Sequence, residues 1–466
     1  MSDRQARIEA SVLAGALAAL PLFACGSVDA RGDLQETSRL VGERTGRPDT
    51  WDPETSEEIL RADLEAMLED GLTIDEAVRV ALVWNPALRS GYRDVGIRKA
   101  ELVAAGLPRN PFLLVSTRFP EGGGRVNVTA SVSQSLLDLF LIPARRRAGE
   151  ARLSMARWQV VREAVQLAGR VEGEVFDRIA LRRGRAVAEE GLALARRSRE
   201  IARRRQHAGL GDAVDVSLAD NAVLAARREL LVIDRDLALS RAALGELLGL
   251  PPGSGEWRLA DELAPPLPPE EPLNLVETAL ERRLDVEVAR LRVAAARGDL
   301  DVEETRRLPD LALGFERERA ESPPTLSGPV LEGSLPLWSR NGPAVARQSF
   351  LVEKAQDELR RTRDAVEREV REALARLGGA RSELALFESE ILPRASASAE
   401  IARRAWQAGE RDVLVALEAQ RFLLEQRRAY VAALRDAGRA RAALEVAIGG
   451  PGSGEGQTGP KEQGEP

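Results

Sequence analysis

The sequence predicts a mainly α chain with a small β part, in which long helices and short hairpins are laid out as two internal repeats. Three observations carry that prediction. Aromatic residues make up 4% of the 466 residues, charged residues 30% and hydrophobic residues 44%, the last resting heavily on Ala, Leu and Val. This is the composition of long helices with thin apolar seams rather than of thick cores. Whole segments recur in the same order about 200 residues apart, and a fixed internal period signals a repeated plan. Between helical stretches, once in each half, the apolar spacing drops from the helical period to the strand period of two.

The chain opens with Arg4 and Arg7 and then an apolar run from Ser11 to Ala24. A charged stretch followed by an apolar one too short to span a bilayer comfortably reads as an export signal over residues 1–24. The run Leu22-Phe23-Ala24-Cys25 resembles a bacterial lipoprotein cleavage box, in which the cysteine becomes the lipidated first residue, and Gly26 resembles the outer-membrane sorting pattern. Phe23 and the acidic Glu9 depart from that pattern, so a plain signal with an incidental cysteine is the other reading. Residues 25–71 then form an extended, lipid-anchored N-terminal segment. Cys25 is the only cysteine, which excludes an intramolecular disulfide.

The charges, 67 basic against 74 acidic for a net of −7, give no net pull toward nucleic acid. Arg and Glu alternate along the helical stretches, as on solvated faces laced with i,i+4 pairs.

The first repeat, 72–250, starts with a helix from about Thr73, with Asp75 and Glu76 in its opening turn, to near Gly106, where Pro108 stops it. A hairpin follows over 112–137. Val126, Val128, Ala130 and Val132 alternate with Asn127, Thr129, Ser131 and Ser133, the apolar-out, polar-in pattern of a barrel wall around water. Phe112 to Phe119 alternates less cleanly, and a soluble edge hairpin would look similar. A helix of about 65 residues, roughly 100 Å long, spans 143–208, with Gly169, Gly173, Gly184 and Gly191 as its weak points. After a tight turn a shorter helix returns over 212–250, and a Pro-rich link covers 251–272.

The second repeat, 273–448, follows the same plan. A helix runs to Arg307 and a hairpin covers 310–338, with Leu311, Leu313 and Phe315 alternating with Ala312, Gly314 and Glu316. A long helix covers 343–408 and a return helix 412–448, and a disordered tail fills 449–466. In the long helix, Val366, Ala373, Ala380 and Phe387 interleave with Val370, Leu377, Leu384 and Ile391 as a heptad seam, which requires a neighbouring helix. Pro393 should kink or divide this helix.

The duplication is sharpest at the turns. Ile201-Ala202-Arg203-Arg204 recurs as Ile401-Ala402-Arg403-Arg404, and Ala208-Gly209 with Asp212 recurs as Ala408-Gly409 with Asp412. With Leu72-Thr73-Ile74-Asp75-Glu76-Ala77, Asn85-Pro86, Ile391-Leu392-Pro393 and Trp406-Gln407-Ala408-Gly409, the chain resembles the TolC family of outer-membrane efflux proteins over residues 72–449. It departs from the family pattern at Leu284, where proline is usual, and over 135–138, which lacks the proline that Pro336 supplies in the second half.

The resemblance implies a homotrimer whose strands close a transmembrane β-barrel, continued into the periplasm by an α-barrel of long helices. It implies partners as well: a periplasmic membrane-fusion adaptor protein, an inner-membrane pump and outer-membrane lipid. Gly209, Leu210, Gly211, Gly409, Glu410 and Arg411 resemble the tips that dock the adaptor, although glycine is also what any tight helix-to-helix turn needs. Asp212, Asp215, Glu410 and Asp412 are candidates for charges at the narrow entrance, with helix N-capping as the simpler role. Phe140 and Trp338 are candidates for interfacial anchors, with core packing as the alternative.

One histidine and one cysteine cannot form a Cys/His metal cluster. His207, Ser217 and Asp215 lie around an exposed turn, and no catalytic site or cofactor motif is found. The expected function is a passive efflux duct in the outer membrane, opened by adaptor and pump. The alternatives are the exit duct of a one-step protein secretion system and a soluble periplasmic coiled-coil scaffold.

Overall fold

The computed structural model describes residues 28–47, 51, 62, 64–68, 71–119, 121, 126–250, 257–260, 274–319, 324–334 and 336–450. The expected export signal, Cys25, most of the Pro-rich link and the tail after Gly450 lie outside these residues.

The N-terminal segment is not simply extended: it contains a helix, α1 (Arg31–Thr45). Its buried stripe is Thr37, Val41, Gly42 and Thr45, too polar to be read as an amphipathic pattern. The buried hydroxyls are satisfied within the helix, Thr37 Oγ1 donating to Asp33 O at 2.7 Å and Thr45 Oγ1 to Val41 O at 2.8 Å. Ser38 donates to the carbonyl of Trp51, whose ring lies 4.7 Å from that of the buried Tyr92.

The expected single helix after Thr73 is two, α2 (Ile74–Trp84) and α3 (Pro86–Ala105). Thr73 and Glu76 form a reciprocal capping box on α2. Asn85 then interrupts the rod, because its side chain accepts from the N–H groups of Ala87 and Leu88 while Pro86 takes the first helical position. Strands β1 (Phe112–Arg118) and β2 (Asn127–Ser135) follow. The long helix α4 (Leu137–His207) has 71 residues, roughly 107 Å. It starts six residues before Pro143, because Leu137, Leu141 and Ala144 are buried against Val302 and hold the first turns despite the proline. The return helix is α5 (Ala213–Leu248).

The second repeat again divides its opening helix, into α6 (Leu275–Arg282) and α7 (Leu284–Thr305). No proline stands at this break. Arg283 adopts extended ψ, and its guanidinium reaches Asp285 at 2.7 Å, Glu369 at 2.8 Å and the Ala447 carbonyl at 3.2 Å. Strands β3 (Asp310–Arg319) and β4 (Leu326–Ser334) lead to α8 (Gly342–Leu386), a π-helical turn at Phe387–Ile391, α9 (Leu392–Gln407) and α10 (Val413–Ala447). Pro393 sits just past the π turn, which absorbs the steric conflict between its ring and the preceding turn.

The four strands make one antiparallel sheet in the order β1-β2-β3-β4, so the two hairpins sit side by side. The heptad seam of α8 is buried from Val366 to Phe387 and packs on Ala279, Val286, Ala440, Leu444 and Ala447 at one end. Glycine weakens α4 less than its helix propensity suggests, since two glycines form reciprocal contacts between the repeats. A Cβ on Gly169 would lie 2.3 Å from Val446 Cγ2, and one on Gly438 of α10 would lie 2.6 Å from Phe176 of α4. Each helix removes a side chain where the other inserts one. Among the described residues no helix is long and apolar enough to cross a membrane.

Candidate functional site

The candidate residues fall at opposite ends of the molecule, a helical tip and a sheet. At the tip α4 and α5 are joined by a turn in which Gly209 has φ 71°. The Leu210 N–H donates to Arg205 O at 2.8 Å and the Gly209 N–H to Gln206 O at 3.0 Å. The second tip repeats this closure: Glu410 N–H donates to Ala405 O at 2.9 Å, Gly409 N–H to Trp406 O at 3.0 Å, and Gly409 has φ 75°. Both are Schellman closures with glycine in the left-handed position. Nothing lies near the Cβ position of either glycine, so it is the backbone conformation, not crowding, that requires them.

Three of the four candidate entrance carboxylates are helix caps. Asp212 accepts from the N–H groups of Val214 and Asp215, both at 2.9 Å, and Asp215 accepts in return from Asp212 N at 3.4 Å. Asp412 accepts from Leu414 N at 3.0 Å. Asp412 has a second role that its position in sequence does not show. Arg205, from the other repeat, donates to both of its oxygens at 3.0 and 2.8 Å. The Leu414 N–H and the Arg205 guanidinium hold the Asp412 carboxyl below its ordinary pKa. Leu210, Glu410 and Arg411 stand exposed at the apices.

In the sheet, the register assigns each strand residue to a face. Leu113 pairs with Val132, Val132 with Phe315 and Leu313 with Leu331. One face therefore carries Leu113, Val115, Val128, Ala130, Val132, Leu311, Leu313, Phe315, Pro329 and Leu331, with Arg317 and Arg319 at its hairpin-loop end. The other carries Ser116, Thr129, Ser131, Ser133, Glu316, Glu318 and Glu332. The apolar face is the exposed one: Val132 is 46% and Leu331 65% exposed, whereas Ser131 and Ser133 of the polar face are buried. A soluble sheet has the opposite polarity. Strand β1 also presents Phe112 and Leu114 on the polar face, which is why its alternation is hard to read.

Where the sheet meets the helices, Asp138 is buried, with 1% of its side chain accessible. It accepts from Arg109 N at 2.6 Å and from Arg145 Nη1 at 2.7 Å. Burial raises its pKa, but these donors outweigh burial and leave the carboxyl below its ordinary range. Sequence reading passed over Asp138, whose partners lie 29 and 7 residues away and which belongs to no motif. A cleft of about 430 Å³ opens beside it, lined also by Arg306, Asp310 and Asn341. Nearby, Phe140 is 65% and Trp338 98% exposed, so neither is a core residue in this chain.

These features match known proteins. The family model described as "Outer membrane efflux protein" matches residues 101–250 and 275–450. Protein CyaE of Bordetella pertussis is 30% identical over 272 residues, covering 56% of this chain and 57% of that protein. The cobalt-zinc-cadmium resistance protein CzcC of Cupriavidus metallidurans is 27% identical over 258 residues, 55% of this chain and 61% of that protein. The chain thus spans about six-tenths of the length of these curated relatives. The outer membrane protein VceC of Vibrio cholerae shares the fold, with a TM-score of 0.67 at 19% identity over 81% of this chain and 96% of that one. The paired matches fall one on each repeat and together take in well over half the residues, and the chain belongs to the outer membrane efflux protein family.

Proposed function

We propose that this chain is the outer-membrane duct of a tripartite efflux system, a passive exit that opens when an adaptor and an inner-membrane pump engage its helical tips. The observation that carries this reading is the polarity of the inner strands, where Val132 and Phe315 are exposed while Ser131 and Ser133 are buried. Such a face is stabilised by contact with lipid, and β1 and β4 each leave one edge unpaired. An open edge in a bilayer leaves N–H and C=O groups without partners, so the edges must close on other copies. The family resemblance supports a homotrimer as that assembly. Phe140 and Trp338 then sit as anchors at the water boundary, and Cys25 carries the lipid that tethers the N-terminal segment. The exposed apices Leu210, Glu410 and Arg411 are the adaptor-docking surface.

The test is a cysteine introduced on each edge strand, at Val115 and at Leu331, which share the apolar face, in a Cys25→Ser background. Oxidation of the purified protein should give a covalent ladder ending at the trimer, and particle images should show a long hollow tube. A water-soluble monomer without lipid or detergent would overturn the reading. Loss of fatty-acid labelling in Cys25→Ala tests the lipid anchor separately. The relative named for cobalt, zinc and cadmium resistance favours metal cations as a cargo class, and the inward carboxylates Glu316, Glu318 and Glu332 suit cation passage. Single-channel reversal potentials in a salt gradient would test this, and anion preference would exclude it.

A further inference from the structure

Strand β3 reads Phe315-Glu316-Arg317-Glu318-Arg319, and its strict alternation sorts charge by sign across the sheet. Glu316 pairs with Ser131 and Gly328, and Glu318 with Thr129 and Leu326, all on the polar face, where Glu318 also accepts from Asn127 Nδ2 at 2.8 Å. Arg317 pairs with Ala130 and Ser327, and Arg319 with Val128, on the apolar face. The two guanidiniums therefore stand on the exposed side of the wall, directly beyond Phe315, toward the hairpin loops and away from the helices. The strand residues set opposite them, Ala130, Ser327 and Val128, carry no charge.

A guanidinium on a lipid-facing wall is costly near the bilayer midplane and nearly neutral at its boundary, where it can bend its apolar stem back and reach the headgroups. Two arginines one strand pleat apart lie about 7 Å from each other along the strand, a spacing over which one phosphate-bearing headgroup can meet both. Guanidinium and phosphate form paired, charge-assisted hydrogen bonds. We propose that Arg317 and Arg319 form a binding site for the phosphorylated headgroup of a lipid in the leaflet at the hairpin-loop end of the sheet. Each copy in a closed barrel would carry one such site. The inference rests on the lipid-facing reading of the sheet, and the experiment separates the two.

The full chain is purified in neutral detergent, and retained phosphatidic acid is compared with retained diacylglycerol by native mass spectrometry. Arg317→Gln/Arg319→Gln should lower phosphatidic-acid retention about tenfold, the loss expected for one charge-assisted pair. Glu316→Gln/Glu318→Gln on the opposite face should leave it unchanged, and Arg317→Lys/Arg319→Lys should keep part of it. Equal retention in the Arg→Gln double variant and the parent, while both insert into phosphatidylcholine vesicles, would overturn the headgroup site. Displacement of the lipid by inorganic phosphate alone would assign the arginines to free phosphate and would likewise overturn it. Failure of the parent chain to insert would instead remove the lipid-facing reading.

Discussion

Arg205, at the end of the long helix of the first repeat, donates through Nη1 to both carboxylate oxygens of Asp412, at the first turn of the last helix of the second, at 3.0 and 2.8 Å. The two tips are thereby tied to each other as well as closed within themselves. The side chains are 33% and 43% exposed, so the pair contributes about 0–1 kcal/mol to stability. Its consequence is positional, because it ties the apices of the two helical hairpins to each other in one relative setting.

Asp412→Asn keeps a capping oxygen for Leu414 N–H and removes the charge, so helix content should not change. Spin labels at Leu210 and Glu410 should show a broader distance distribution in the variant, and an unchanged one would mean that the pair does not set the tips. The pH dependence has a definite sign. The Asp412 pKa is lowered from 3.8, so the tie is complete above the ordinary carboxylate range and is lost as pH falls through the lower folded value. Broadening in the parent chain should appear only in that acidic window.

The contacts between Gly169 and Val446 and between Gly438 and Phe176 predict a coupled pair of defects. Gly438→Ala places a methyl group 2.6 Å from the Phe176 ring, and the overpacking should cost about 1–3 kcal/mol. Gly438→Ala in a Phe176→Leu background should cost less than the sum of the two single changes, with a coupling of at least about 0.5 kcal/mol. Thermal midpoints of the four proteins measure it, and strict additivity would show that the helices move apart rather than compress.

What was legible in the chain follows the range of the forces involved. The seam from Val366 to Phe387 could be read because burial of one helical stripe repeats locally, and Pro393 marked its disturbance because a missing N–H acts within one turn. The break at Asn85-Pro86 was also written locally, yet the flanking apolar pattern ran through it and masked it. The break at Arg283 was not legible, since its cause is an ion cluster with Glu369 and the Ala447 carbonyl, 86 and 164 residues away. The helix Arg31–Thr45 was missed because threonines fill its buried stripe. At the tips, glycine and aspartate could be read as turn and cap, whereas the Arg205–Asp412 tie depends on how two repeats face each other.

Glu172 of the long helix makes a buried pair with Arg47 of the N-terminal segment at 3.0 Å, both side chains being 12% exposed. Burial first, and then the nearby Glu445, raise the Glu172 pKa above 4.5 despite Arg47. A raised carboxylate pKa means the folded protein binds the proton more tightly than the unfolded one, so stability falls as pH rises from about 4.5 through the folded value. Glu172→Gln keeps an acceptor for Arg47 and cannot ionise. It should remove that descending limb from a plot of thermal midpoint against pH; an identical limb in the variant would assign the effect to another group.

The polarity of the sheet makes the sharpest demand. Val132 lies on the exposed apolar face in the second strand, bracketed by Leu113 and Phe315 in the adjacent strands. Thr129, three residues earlier, points to the opposite face between Ser116 and Glu318. If the apolar face meets lipid, Val132→Arg brings a charge toward the bilayer interior and should cost about 2–4 kcal/mol per copy. Thr129→Arg adds the same charge on the side that faces water and the Glu318 carboxylate, and it should be tolerated. Yields of heat-modifiable oligomer extracted from outer membranes should therefore drop sharply for Val132→Arg and remain near normal for Thr129→Arg. The reverse order would mean that the serine-lined face, and not the face of leucines and valines, is the one turned toward lipid. Equal yields would remove the sheet from the membrane altogether, because a bilayer penalises a charge on its own face of the wall and not on the water-filled side.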